Sequence, residues 1–137
     1  MKFVYQTILK NDEINKGNCL QASIASLFEL SLDNVPHFAM YHEDEWSLKF
    51  TDFIYEQGYL YEGYAPISEI KNYQGVNNHH IVMGTSKRGY KHAVVYKNNE
   101  LIHDPHPEGG GLIKEDGFLM IKKTLTPLTY NPWRLFL

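Results

Sequence analysis

The sequence predicts an α+β fold, N-terminal helices packed on a C-terminal antiparallel β-sheet, in one domain. Helical apolar spacing is confined to the first 57 residues. From Tyr59 onward the apolar runs are short, aromatic or β-branched, and separated by Gly and Asn turns. Helices first and strands afterwards is the order of an α+β chain. No internal repeat, low-complexity segment or linker divides its 137 residues, a length that supports one real core.

The elements follow in order. Lys2 to Leu9 alternate enough to form a first extended segment, leading into a polar loop from Asn11 to Asn18. Leu20, Ala22, Ile24, Ala25, Leu27 and Phe28 then cover more than one face of a helix that starts at Cys19 and stops near Glu29 or Leu30, so that helix is expected to be buried on most sides. Ser31 to Asn34 form a turn, and Val35-Pro36 requires extended backbone. Trp46, Phe50, Phe53 and Ile54 make an amphipathic helix of Glu43 to Gln57, with acidic residues in its first turn and Gly58 as its stop. Tyr59 to Pro66 is a short strand, Ile67 to Tyr73 a helical turn or loop, and Gln74 to Asn78 a loop. HHIVMG, KHAVVYK, ELIHD and GFLMIKK supply further strands, giving an antiparallel sheet of at least four with the Tyr59 segment. The tail, with Pro127, Pro132, Trp133 and Phe136, reads as an extended segment docked by its aromatics.

Composition narrows the function. The chain is 43% hydrophobic and 14% aromatic, which argues for a folded protein rich in β-structure and against disorder. A formal net charge of -3 and scattered cations, densest at Lys87, Arg88 and Lys91 and at Lys122 and Lys123, give no nucleic-acid footprint. One cysteine cannot form an internal disulfide, which suits a reducing compartment. MKFVYQTILK does not read as a signal peptide, and no run approaches the roughly 18 apolar residues of a membrane span. The expectation is a cytoplasmic protein with no membrane partner.

Cys19 is the residue around which chemistry can be built. Gly17 and Asn18 are loop and capping residues, so the thiol falls in the first turn, where unpaired N–H groups and the positive helix end favour thiolate. A lone cysteine is otherwise only a small buried hydrophobe, and a nucleophile needs a base and a residue to fix that base. His92, opening KHAVVYK, and Asp104, ending the next strand, are the best pair. A two-residue Asn98-Asn99 turn alone puts them on opposite faces; an odd loop, or a bulge near the open end of the hairpin, puts them on one face.

The cysteine in GNCLQASIAS, followed by His in KHAVV and Asp in LIHDPHP, resembles the papain-like cysteine peptidase superfamily in its small bacterial and phage forms, over roughly Gln6 to Lys123. The resemblance implies a papain-like fold with Cys19 as nucleophile, His92 as general base and acid, and Asp104 orienting the imidazole. It also implies an oxyanion hole combining the backbone N–H of Cys19 with an upstream glutamine. Gln6 is the candidate, provided that the loop from Leu9 to Lys16 bulges out to bring it back; Asn15 and Asn18 are alternatives. Substrates would be amide, isopeptide or thioester bonds in a peptide, a peptide conjugate or a small molecule, with no cofactor.

Other readings compete with this one. The scaffold could serve as a binding module, with Tyr41, Trp46, Tyr59, Tyr61, Tyr64 and Tyr73 lining a pocket for a small molecule or protein partner. A metal site from His92, His103, Asp104 and His106 has the right donors, but His103 and Asp104 should face opposite ways and the spacing has no metal signature. One of His79 and His80 should face solvent, and His37 and His42 flank the interhelix loop. Gly109-Gly110-Gly111 precedes no phosphate-binding helix and reads as a flexible turn rimming the site.

Overall fold

The computed structural model describes residues 1–9 and 17–124. The expected tail docking, most of the polar loop and Asn15 lie outside the described residues. Within them the order is α1 (Cys19–Leu27), α2 (Glu43–Glu56), β1 (Tyr59–Pro66), β2 (His80–Ser86), β3 (Lys91–Lys97), β4 (Glu100–His103) and β5 (Leu112–Lys123). The five strands form one antiparallel sheet in the order β1-β5-β2-β3-β4. This is the α+β arrangement that the pattern implied. The last strand enters the middle of the sheet, between β1 and β2.

Helix α1 lies on β3 because its face is built from small residues. Ala22, Ser23, Ile24, Ala25 and Ser26 are buried in an unbroken run, and the Ser23 hydroxyl donates to the Ala93 carbonyl at 3.1 Å. The other side of the helix is covered by the N-terminal segment, whose Val4 N–H donates to Ser26 Oγ at 2.9 Å. That segment is not a strand of the sheet. The helix ends two residues earlier than its apolar pattern suggests: Glu29 turns left-handed at φ 57°, and the Leu30 N–H closes back on the Ala25 carbonyl at 2.9 Å. Leu30 is nonetheless apolar because it packs on the core beyond the helix.

The main core lies between the helices and the sheet. Ile24, Phe38, Phe50, Ile54, Ile81, Ala93 and Val95 are fully buried there. Each of the larger ones contributes about 1.5–3 kcal/mol of transfer free energy. Trp46 and Tyr61 pack edge-on against Phe50, at 5.9 and 4.8 Å between ring centroids. A smaller core on the other sheet face joins Ala65, Val82, Val94 and Phe118 to Ile67, Ile70 and Tyr73 of the 3-10 turns that cross it.

Strand β5 begins five residues before the Gly117 start that its apolar run marks. Its opening half, with Ile113, Lys114 and Glu115 exposed, has no apolar face to announce it. Among the described residues, no helix is long and apolar enough to cross a membrane.

Candidate functional site

The site is assembled by three local devices. The first is the β3-β4 hairpin. Asn98 and Asn99, at φ 54° and 64°, make the two-residue turn that pairs Lys97 with Glu100. Left alone, that turn sends His92 and Asp104 to opposite faces. A bulge intervenes: Tyr96 pairs with Leu101 but Val95 with His103, so Ile102 is the extra residue. The phase shifts by one, and His92 Nε2 meets Asp104 Oδ1 at 2.6 Å with both side chains about 95% buried. Of the two alternatives that bring the pair together, the bulge is the one used.

The second device is the loop after β4. The Asp104 carboxylate also accepts the His106 N–H on Oδ1 and the Gly111 N–H on Oδ2, each at 2.8 Å. Gly109, Gly110 and Gly111 all have positive φ, between 62° and 98°, which is how the chain turns sharply enough to aim an amide back at Asp104. The glycine run is thus a formed part of the site rather than a loose rim.

The third device is Asn18. Its side chain does not cap α1. Instead Oδ1 accepts the N–H groups of Thr7 and Ile8 at 3.0 and 2.8 Å, and Nδ2 donates to Thr7 Oγ1 and Gln21 Oε1. The Asn18 N–H donates to the Ile8 carbonyl at 3.1 Å. The chain that leaves at Leu9 therefore returns to its own start at Gly17. Gln6, further held by its N–H to the Pro105 carbonyl at 2.9 Å, is brought against the start of α1 although it lies thirteen residues before Cys19.

Gln6, Cys19 and His92 line one cleft of about 320 Å³, with Leu20, Met83 and His106 among its other walls. Asp104 sits behind His92. The Gln6 Nε2 donates to the Ile8 carbonyl at 2.9 Å, which leaves one amide hydrogen without an acceptor among the described residues, where Oε1 also has no hydrogen-bond partner. Both hydrogens of the Asn18 amide are committed, so Asn18 has none to offer an oxyanion. Cys19 is half-buried and opens α1, a position whose N–H has no acceptor within the helix.

The electrostatics favour charge on both partners behind the cleft. Burial pushes the His92 pKa down, but the bond to Asp104 and interaction with the Cys19 sulfur outweigh it, raising the value from 6.5 to about 9. Burial pushes Asp104 up, and its bonds to His92, His106 and Gly111 outweigh that, lowering it from 3.8 to about 2. Asp104 is a carboxylate at neutral pH, and His92 Nε2–H donates to it. Nδ1 is left for the cleft.

The remaining histidines separate from this pair. His103 turns to the opposite face, where Nε2 bonds the Val4 carbonyl at 2.7 Å and Phe3 stacks on the ring at 5.0 Å. His106 Nδ1 accepts the Glu108 N–H at 3.0 Å. Among the described residues, no three His, Cys, Asp or Glu side chains are grouped to hold a metal ion. Both His79 and His80 are withdrawn from full exposure, His80 being 3% exposed. The tyrosines do not form one pocket: Tyr64 is half exposed, Tyr61 belongs to the main core, and Tyr59 and Tyr73 line a second cleft of about 970 Å³ away from Cys19.

Arg88, marked in the sequence only as one of a cluster of cations, lines the Cys19 cleft, and the amides of His106 and Gly111 that fix Asp104 were not singled out. The three glycines were the available signal for the second. No protein-family model, no curated protein and no solved structure matches this chain.

Proposed function

We propose that the protein is a thiol-dependent hydrolase or acyl-transfer enzyme of papain-like type, acting on an amide, isopeptide or thioester bond. The observation that carries this reading is the buried His92–Asp104 bond of 2.6 Å with Cys19 on the cleft side of the same imidazole. Cys19 Sγ attacks the carbonyl carbon, and its proton resides on His92 Nδ1. Negative charge developing on the carbonyl oxygen is met by the backbone N–H of Cys19 and the unused Gln6 amide hydrogen. As the tetrahedral species collapses, the bond to the leaving group breaks and His92 gives that group its proton. Water, or a second nucleophile, then loses a proton to His92 and attacks the thioester, releasing Cys19. Asp104 keeps the ring in one orientation and stabilises the imidazolium.

The test is the rate of Cys19 alkylation by iodoacetamide between pH 4 and 10, in the native protein and in His92→Ala. The expected outcome is rapid alkylation at pH 6 that falls by about 100-fold in the variant. An alkylation rate that is slow and the same in both proteins would overturn the reading. A second reading, a binding module, is favoured by the 970 Å³ cleft walled by Phe28, Tyr59, Tyr73 and Phe118. Slow, His92-independent alkylation would move the search there.

A further inference from the structure

The turn between β2 and β3 holds a cation over the Cys19 cleft. Ser86 and Tyr90 close it through the Ser86 N–H to the Tyr90 carbonyl at 3.0 Å, and the Gly89 N–H returns to the Ser86 carbonyl at 2.9 Å. Gly89, at φ 86°, supplies the left-handed residue of a three-residue hairpin loop. Ser86 Oγ, on a side chain that is itself buried, accepts the Arg88 N–H at 3.3 Å. The backbone at Arg88 is therefore fixed from both sides.

The guanidinium is only half used. Nη1 donates to the Gly109 carbonyl at 3.1 Å, on the same glycine loop that braces Asp104. Nη2 is screened from solvent and has no hydrogen-bond partner among the described residues. A charged donor left in this state is costly unless an acceptor arrives from outside the chain. The surroundings call for an anion. Arg88, Lys91 and His92 line the cleft, whereas no Asp or Glu does so among the described residues. Lys91 pairs with Asp116 at 3.1 Å and its side chain is solvent-exposed, which leaves Arg88 as the cation whose unpartnered donor is buried. His106 contributes a further donor, because its Nδ1 accepts from Glu108 and its ring proton is then on Nε2.

We propose that Arg88 is a substrate-recognition residue and that the acyl group accepted by Cys19 carries a carboxylate close to the scissile bond. This rests on the thiol-enzyme reading and narrows its substrates to anionic ones. A planar guanidinium suits a carboxylate, which accepts from Nη2 with one oxygen and leaves the other for His106.

Two alkylating reagents of nearly equal size separate the charge question from the reactivity question. In each, Cys19 Sγ forms a bond to the reagent's methylene carbon and iodide leaves; iodoacetate carries a carboxylate there and iodoacetamide does not. The native protein should prefer iodoacetate by ~10-fold relative to the same ratio for a free thiol, a preference that shrinks as salt is added. Arg88→Gln should remove that preference while leaving the iodoacetamide rate within about twofold, which also shows that the variant is folded; Arg88→Lys should keep part of it. Rapid, His92-dependent alkylation by iodoacetamide with the free-thiol ratio, unchanged in Arg88→Gln, would overturn the carboxylate inference alone. Slow, His92-independent alkylation by iodoacetamide would overturn the enzyme reading and this inference with it.

Discussion

His92 and His80 are almost equally buried, at 5% and 3% exposure, yet the structure drives them to opposite charge states. His92 has a carboxylate on one nitrogen and a cysteine beyond the other, and its pKa rises to about 9. His80 has a single carbonyl, that of Asn78 at 2.7 Å, and two aromatic neighbours, Tyr73 and Tyr96. Its Nε2 has no hydrogen-bond partner among the described residues, and burial carries its pKa below 6.5 despite the Asn78 bond. Burial alone thus lowers a histidine; what stands at the second nitrogen decides whether the ring is held as a cation or as a neutral base.

Converting the first environment toward the second should have the largest effect. In Asp104→Asn the side chain keeps its size but loses its charge, and one of its two acceptor oxygens becomes an NH2 donor, so the His92 pKa should fall toward or below 6.5 when followed by NMR titration of the ring. Cys19 alkylation at pH 6 should slow by about tenfold or more. A His92 titration that stays near 9 in this variant would show that Asp104 is not what holds the charge.

The pH dependence of stability sharpens the contrast, because the two rings act with opposite sign. A raised His92 pKa contributes stability that is complete below 6.5 and is lost as pH climbs through about 9. Asp104, lowered to about 2, contributes stability that is complete above 3.8 and is lost as pH falls from there through about 2. His80, with His79 and His106, is lowered, and each contributes stability that is complete above 6.5 and declines below it as the unfolded chain takes up protons. Denaturant melts should therefore show greatest stability near neutral pH. Asp104→Asn should flatten the alkaline limb, and His80→Gln should make the acid limb shallower.

The smallest effect is expected of His80→Gln on reactivity. Cys19 alkylation should stay within about twofold of native, since His80 lines the second cleft and not the one that Cys19 and His92 line. A large loss would tie the two clefts together.

Much of this was readable from residue order. The α2 helix announced itself through Trp46, Phe50, Phe53 and Ile54, and the structure keeps it within one residue of the expected end. The pairing of His92 with Asp104 was legible as a condition on the hairpin, because alternation in a strand fixes which residues share a face. What stayed hidden was non-local or polar. Nothing about Ile102 in the sequence marks it as the bulged residue, since its cost depends on the burial of both strands. The first half of β5 carries charges outward and is held by its pairing with β2 rather than by its own pattern. Asn18 looked like a helix cap by position, and only the folded chain shows its side chain turned toward Thr7 and Ile8.

That turned side chain changes what sequence separation means for Gln6 and Cys19. The two are neighbours through a clasp at Ile8 and Asn18, so the stretch of chain between the clasped ends has no part in setting their distance. Its length is a nearly free variable: doubling a closed loop costs only about 0.6 kcal/mol. Residues could be added or removed between Leu9 and Gly17 while the amide and the sulfur keep their places, and a fixed spacing between glutamine and cysteine is then no signature by which to recognise such a site.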